Sequence, residues 1–237
     1  MSIKRLFGFT LAEGATHVKM PPTGAKFAFT LAEVLITLGI IGVVAAITIP
    51  TLMSRYRDKQ TVARLTETYS ILLQAIRSVQ EDEGTPDEWN LSGNYYQKDD
   101  SEVIAQKLLP AMKVALDCGT AQNDSCFYSG RYKYLNGIYA GAYGGNNIYK
   151  IVLMNGTSMA IAHWSDSERI DFYVDTNGNR PPNVIGRDMF CISWFKNKGL
   201  YPLGAPMSGY ENQCTKTSSG WGCPYWVLHN KNLDYLK

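Results

Sequence analysis

Three oxygen-bearing side chains stand at alternate positions in the segment DTNGNRPPN: Asp175, Asn177 and Asn179. Hard cations such as calcium prefer oxygen ligands of this kind, and Asp188 could add another ligand across the loop. The glycine is misplaced for an EF-hand, however, and no closing glutamate follows. We therefore favour a tight Asn-Gly turn that leads into a polyproline piece, and bound calcium is the alternative.

A serine nucleophile is a second chemical possibility, because the segment NGTSMA contains Ser158 in a motif typical of subtilisin-like proteases. Such a nucleophile needs a histidine base that is oriented by an acid. His163 and His229 stand in no recognisable His-Gly pattern, and Ile161 occupies the place of the proline that usually follows the motif. We expect Ser158 to lie in the second strand of a hairpin and the protein not to be an enzyme.

All five cysteines lie beyond residue 117: Cys118, Cys126, Cys191, Cys214 and Cys223. The first two bracket one short polar loop and the last two bracket another, which is typical of local disulfides formed in an oxidising compartment. Cys191 could replace a member of either pair, so more than one arrangement of two bridges is open. No C-x-x-C pair is present, and structural zinc is therefore not expected. The cysteines predict a periplasmic or extracellular domain.

A carboxylate stands directly before a long apolar run. The run Val34–Met53 contains no charged residue, and its length is about that of a helix crossing the hydrocarbon core of a bilayer. Glu33 is costly there unless it is neutralised or paired. Its pentapeptide, FTLAE, also occurs at Phe9–Glu13, but prolines and glycines follow that copy and prevent a helix of useful length. The second copy therefore begins the apolar helix.

The segment AKFAFTLAEVLITLGIIGVVAAITIP resembles the N-terminus of type IV prepilins and type II secretion pseudopilins. In that family a basic leader is cut before a phenylalanine, the new N-terminus is methylated, and a glutamate is the fifth residue. The resemblance implies cleavage between Ala28 and Phe29, N-methylation of Phe29, and pairing of Glu33 with the free amine of a neighbouring subunit. Gly42 and Pro50 match positions at which helices of the family loosen or bend.

The residue before the cut departs from the family pattern, since Ala28 stands where the family usually has glycine. The first FTLAE copy does follow a glycine, Gly8, but cutting there would leave a polar arm ahead of the membrane helix. We therefore expect the cut after Ala28. Translation from Met20 is an alternative start that would give a short leader and the same cut.

The resemblance and the hydrophobic pattern divide the chain into a leader (1–28), a transmembrane assembly helix (29–53), an amphipathic continuation (54–84) and a globular αβ head (85–237). Apolar residues recur at helical spacing in the continuation: Val62, Leu65, Tyr69, Leu72, Ile76 and Val79. SEVIAQKLLPAMKVAL predicts a short helix in the head that Pro110 breaks. Strands follow, namely a hairpin around Asn155-Gly156 and the segments RIDFYVD and MFCISWF. The predicted fold class is α+β, a long helix packed on an antiparallel sheet, as in pilin-like proteins.

Five tyrosines precede the hairpin: Tyr128, Tyr132, Tyr134, Tyr139 and Tyr143. If they were exposed together, they would offer an adhesive face to a neighbouring subunit. Ordinary packing within the sheet is the interpretation that we favour.

The formal charge of the chain is +2, and loss of the leader's four basic residues and one acidic residue would leave about −1. This near neutrality argues against nucleic acid as a main partner.

The resemblance implies a filament subunit of a type IV pilus or type II secretion pseudopilus in the bacterial inner membrane, with its head in the periplasm or outside the cell. The implied partners are other pilin-like subunits, prepilin peptidase, an inner-membrane assembly platform and the lipid bilayer. The alternative is a single-pass, membrane-anchored binding module that never polymerises.

Overall fold

The computed structural model describes residues 30–92, 97–121, 125–164 and 169–237. The chain divides into two compact units at the bond between Pro50 and Thr51. Ala28 and Phe29, on which the predicted cleavage and methylation fall, lie outside the described residues. Helix α1 spans Leu31–Glu83 and contains 53 residues.

The amphipathic part of α1 buries the apolar stripe predicted from its sequence. Leu65, Leu72, Ile76 and Val79 are buried, and Val62 and Tyr69 are partly buried against the same cluster. Residues three and four apart lie on one face of a helix. This face of α1 therefore forms part of the core of the head.

The head consists of short helices and two antiparallel sheets. After α1 come helix α2 (Lys98–Leu108) and strands β1 (Val114–Gly119), β2 (Arg131–Lys133), β3 (Tyr139–Ala142), β4 (Tyr149–Leu153), β5 (Ser158–Trp164), β6 (Arg169–Asp175), β7 (Met189–Phe195) and β8 (Gly199–Pro202), and then helix α3 (Cys223–Asn230). The larger sheet has the order β1-β4-β5-β6-β7-β8, with each neighbouring pair antiparallel, while β2 and β3 form a separate hairpin. The predicted α+β class, with a long apolar helix and an antiparallel sheet, is confirmed.

The hairpin predicted around Asn155-Gly156 joins β4 to β5, and Gly156 has a φ of +78°. A residue with a Cβ is strained at that backbone angle, which explains the glycine in the turn. Strands β6 and β7 have the same bounds as the predicted RIDFYVD and MFCISWF.

The short helix predicted within SEVIAQKLLPAMKVAL is confirmed, and it breaks at Pro110 as predicted. Helix α2 ends at Leu108, a single 3₁₀ turn covers Leu109–Ala111, and Val114 already begins β1. The cause is Pro110, which has no N–H to donate and cannot continue an α-helix.

The larger sheet carries a different hydrophobic cluster on each face. One cluster unites α1, α2 and α3 with alternate residues of the strands, among them Ile151, Ile161, Phe172 and Ile192. The other cluster combines the remaining alternate residues with the β2–β3 hairpin and the loop before β2, and it includes Tyr132, Ala160, Tyr173 and Cys191. Side chains alternate between the faces of a strand, so both faces of this sheet are covered.

The five tyrosines divide between packing and exposure. Tyr132 is fully buried, and Tyr128, Tyr134 and Tyr143 pack against the second cluster. Tyr139 on β3 is 56% exposed. The favoured interpretation, packing within the sheet, is therefore confirmed for four of the five.

Candidate functional site

The N-terminus of α1 is closed by a reciprocal pair of side chains. The carboxylate of Glu33 accepts hydrogen bonds from the backbone N–H and the hydroxyl of Thr30, both at 2.8 Å. In return, the backbone N–H of Glu33 donates to the Thr30 hydroxyl oxygen at 3.2 Å. This is a capping box, which satisfies N–H groups that a helix start leaves without partners. Glu33 thus has a local role in addition to the intersubunit role that the resemblance implies.

The capping role of Thr30 was not predicted from the sequence. The signal was present, because Thr30-Leu31-Ala32-Glu33 has the T-x-x-E spacing of a capping box directly before an apolar run. The resemblance implies a partner for Glu33 on another subunit, whereas the structure shows Thr30, three residues away, as its partner within the chain.

The apolar segment that follows Glu33 is not covered by any other described part of the chain. Thirteen large apolar side chains between Leu31 and Met53 are each 40–77% exposed. An 18-residue stretch of α1 has a mean hydropathy of 2.4 and is not buried, so one helix is long and apolar enough to span a membrane. A surface this apolar is stable only when lipid or other helices cover it.

Gly42 and Pro50 both lie inside α1, which continues through them. A Cβ added at Gly42 would meet no other atom within 4 Å. Packing within the described part of the chain therefore does not require this glycine. Pro50 has no N–H to offer the carbonyl of Ala46, so one hydrogen bond of the helix is absent there.

Two cysteine pairs lie at disulfide distance. Cys118 is bonded to Cys126 across the first polar loop, and Cys214 is bonded to Cys223 across the second. Cys191 on β7 is free and fully buried, and burial raises the pKa of its thiol well above the ordinary value. A thiol with a raised pKa is a poor nucleophile at neutral pH.

The candidate calcium segment forms a turn in which hydrogen-bond donors of the protein itself bind the carboxylate of Asp175. Asp175 is buried, and its carboxylate accepts hydrogen bonds from the Tyr132 hydroxyl at 2.6 Å and from the Asn177 backbone N–H at 3.1 Å. Asn179 is exposed. The structure therefore does not gather Asp175, Asn177 and Asn179 as three equivalent ligands.

Asp188 faces the same turn, and its carboxylate also accepts hydrogen bonds from N–H groups of the protein. Its carboxylate accepts from the backbone N–H groups of Asn183 (2.8 Å) and Val184 (2.7 Å) and from the Asn177 side-chain amide (3.2 Å). Burial raises the pKa of Asp188 to about 6, and burial together with the nearby Asp188 charge raises the pKa of Asp175 well above its ordinary value. No group of three or more His, Cys, Asp or Glu side chains is placed to hold a metal ion in the described ranges. Calcium binding stays the untested alternative to the favoured Asn-Gly turn.

Ser158 lies at the start of β5, the second strand of the hairpin, as expected. His163 is on the same strand, but residues separated by an odd number of positions point to opposite faces. His163 Nδ1 lies 2.8 Å from a carboxylate oxygen of Asp100, which also accepts hydrogen bonds from the backbone and hydroxyl of Ser92. Ser158 and His163 are therefore not arranged as a nucleophile and its base, and His163 instead links β5 to α2.

Comparison of the chain with protein-family models, curated proteins and solved structures finds no match to any of them.

Proposed function

We propose that this chain is a structural subunit of a type IV pilus-like filament or a type II secretion pseudopilus. A prepilin peptidase cuts it between Ala28 and Phe29, Phe29 is N-methylated, and subunits associate through the apolar part of α1. The observation that carries the proposal is the run of twelve large, exposed apolar side chains that follows Glu33. A lipid anchor alone explains the run but gives no reason for a carboxylate at its entrance.

The assembly mechanism follows from the physical cost of these groups. In the bilayer the apolar side chains are covered by lipid, and in a filament neighbouring helices cover them. Glu33 leaves the headgroup region when the helix enters such a bundle, and its charge then needs a cation. The free amine of Phe29 on an adjacent subunit supplies that cation, so the pair fixes the axial register of each added subunit.

Thiol cross-linking within the helix tests the polymerisation directly. The described part of the apolar segment contains no cysteine, so an Ile36→Cys/Ile49→Cys variant places two new thiols there. Thirteen residues of helix separate the two positions by about 20 Å, so a short bis-maleimide cannot join them within one chain. The native thiols do not interfere, because four are in disulfides and Cys191 is buried. Treatment of intact membranes with a short bis-maleimide should give a ladder of covalent multimers. A non-polymerising anchor would give monomers, with only the dimers that chance collisions produce.

A further inference from the structure

A cavity of about 310 Å³ opens on the sheet face that carries the second hydrophobic cluster. It lies over the adjoining ends of β5, β6 and β7, far in sequence from the assembly segment. Its walls are mainly aromatic side chains: Tyr134, Tyr143, Trp164, Tyr173, Tyr210 and Trp221. Ligand pockets in proteins have volumes of about 300–1,000 Å³ and similar linings. The size of this cavity fits one small ring and not a long chain.

The aromatic walls hold one another at fixed angles. Tyr143 and Trp221 meet edge to face with centroids 5.6 Å apart, and Tyr173 lies 4.8 Å from Tyr143 and 6.0 Å from Trp221. The Trp164 indole N–H donates to the Tyr173 hydroxyl at 3.2 Å. Contacts of this kind make the rings a preorganised surface, which lowers the entropy lost when a ligand binds.

A buried ion pair forms the floor of the cavity. The Arg169 and Asp171 side chains are only 9% and 2% exposed. Arg169 Nη2 donates to one Asp171 oxygen at 3.0 Å. Arg169 Nε lies 2.8 Å from the other oxygen, at an angle too poor for a hydrogen bond, so it has no hydrogen-bond partner within the described part of the chain. The guanidinium also lies 5.1 Å from the Trp164 ring centroid and 5.8 Å from that of Tyr210.

The charges on this floor exclude several classes of ligand. A cation is disfavoured because the Arg169 guanidinium already occupies the space between the aromatic rings and would repel it. An anion would be repelled by Asp171, which also holds the hydrogen bonds of Ser193 (2.5 Å) and Tyr173 (3.2 Å). A purely apolar ligand would leave the buried ion pair with no polar contact in the cavity. A neutral ring with apolar faces and polar edges remains.

We propose that this cavity binds a single neutral saccharide ring. The apolar C–H faces of a sugar would pack against Trp221 and Tyr143, and its hydroxyl edge would face the Arg169–Asp171 pair. The inference does not depend on polymerisation of the chain, because all the residues that carry it belong to the head. The head would then recognise a ligand, a role that the residues proposed for assembly do not supply.

The test is ligand-observed saturation-transfer NMR on the full chain in a polyoxyethylene detergent. Maltoside detergents are unsuitable, since their head groups are sugars. The probes are the methyl glycosides of glucose, galactose, mannose and N-acetylglucosamine, with tetramethylammonium as the cationic competitor. At least one glycoside should bind saturably and tetramethylammonium should not displace it. Absence of saturable binding by all four, or binding of tetramethylammonium alone, would overturn the proposal.

Two opposite variants locate the binding. Trp221→Ala removes a wall and should weaken glycoside affinity about ten-fold. Ala142→Trp adds bulk at the exposed mouth without removing a core group and should abolish binding. Tyr139→Ala, on the exposed side of the same hairpin, is the control and should bind as the natural chain does. Circular dichroism of each variant separates lost binding from lost folding, and unchanged affinity in both pocket variants would overturn the assignment.

Discussion

Replacing Glu33 with glutamine should abolish the cross-linked ladder of the Ile36→Cys/Ile49→Cys protein while the chain stays in the membrane. Glutamine is accepted at this position of a capping box, so the substitution removes the charge and keeps the contact with Thr30. Breaking a buried ion pair by removal of one partner costs about 3–5 kcal/mol. A loss of that size lowers incorporation at least about a hundred-fold.

Thr30→Ala is the matched control, because it removes the cap and keeps the carboxylate. Loss of a cap costs about 1 kcal/mol, so the ladder should weaken only slightly. The reverse result, an intact ladder for Glu33→Gln and a lost ladder for Thr30→Ala, would show that Glu33 acts within its own helix. The intersubunit pairing would then be wrong.

Lys150→Met should destabilise the head more than any other single substitution of an ionisable side chain that we consider. The Lys150 side chain lies on the second sheet face and is fully buried. Its ammonium donates to the backbone carbonyls of Thr120 and Gly144, both at 3.3 Å, and to that of Gly145. Methionine would fill the volume but leave these acceptors without their donor, which costs about 3 kcal/mol of unfolding free energy. Lys113→Met, at an exposed position, should change little.

The pH dependence of this difference is a second readout. Burial lowers the pKa of Lys150 from 10.5 to about 8. Between pH 8 and 10.5 the unfolded chain therefore holds one more proton at this site than the folded chain, and folding stability rises with pH. The methionine variant lacks this gain. Its free energy of unfolding should therefore fall further below that of the natural chain as the pH rises from 8 to 10.5. Chemical denaturation followed by tryptophan fluorescence reports on the head, because every tryptophan lies beyond residue 88. If the difference in unfolding free energy between the two proteins stays constant or narrows over this pH range, Lys150 does not have the lowered pKa.

Local patterns made part of the fold predictable. The 3–4 spacing of Leu65, Leu72 and Ile76 identified the buried face of α1, and Asn155-Gly156 identified the hairpin. In both cases the signal lies within a few residues of the structure that it specifies. Helix α3 was not predicted, since its eight residues are too few to establish a helical period and are apolar at most positions. Its contacts with β7 and β8 hold it in place, and a single sequence does not reveal them.

The candidate sites were less predictable for the same reason. The link between His163 and Asp100 spans 63 residues, and that between Lys150 and Thr120 spans 30. Both depend on which strands and loops the fold brings together. Arg169 and Asp171 are only two residues apart. Their burial could not be predicted, because it depends on the hairpin and loops that cover this face of the sheet. The capping box at Thr30 was legible in the sequence.

The intact mass of the protein purified from membranes tests the central claim most directly. The account predicts the mass of residues 29–237 with one added methyl group, less the hydrogens lost to two disulfides. Fragmentation should place the methyl on the amine of Phe29. A working form that keeps its first 28 residues, or that begins at Phe9, would contradict the account, because the Glu33 carboxylate would then have no newly exposed Phe29 amine to pair with.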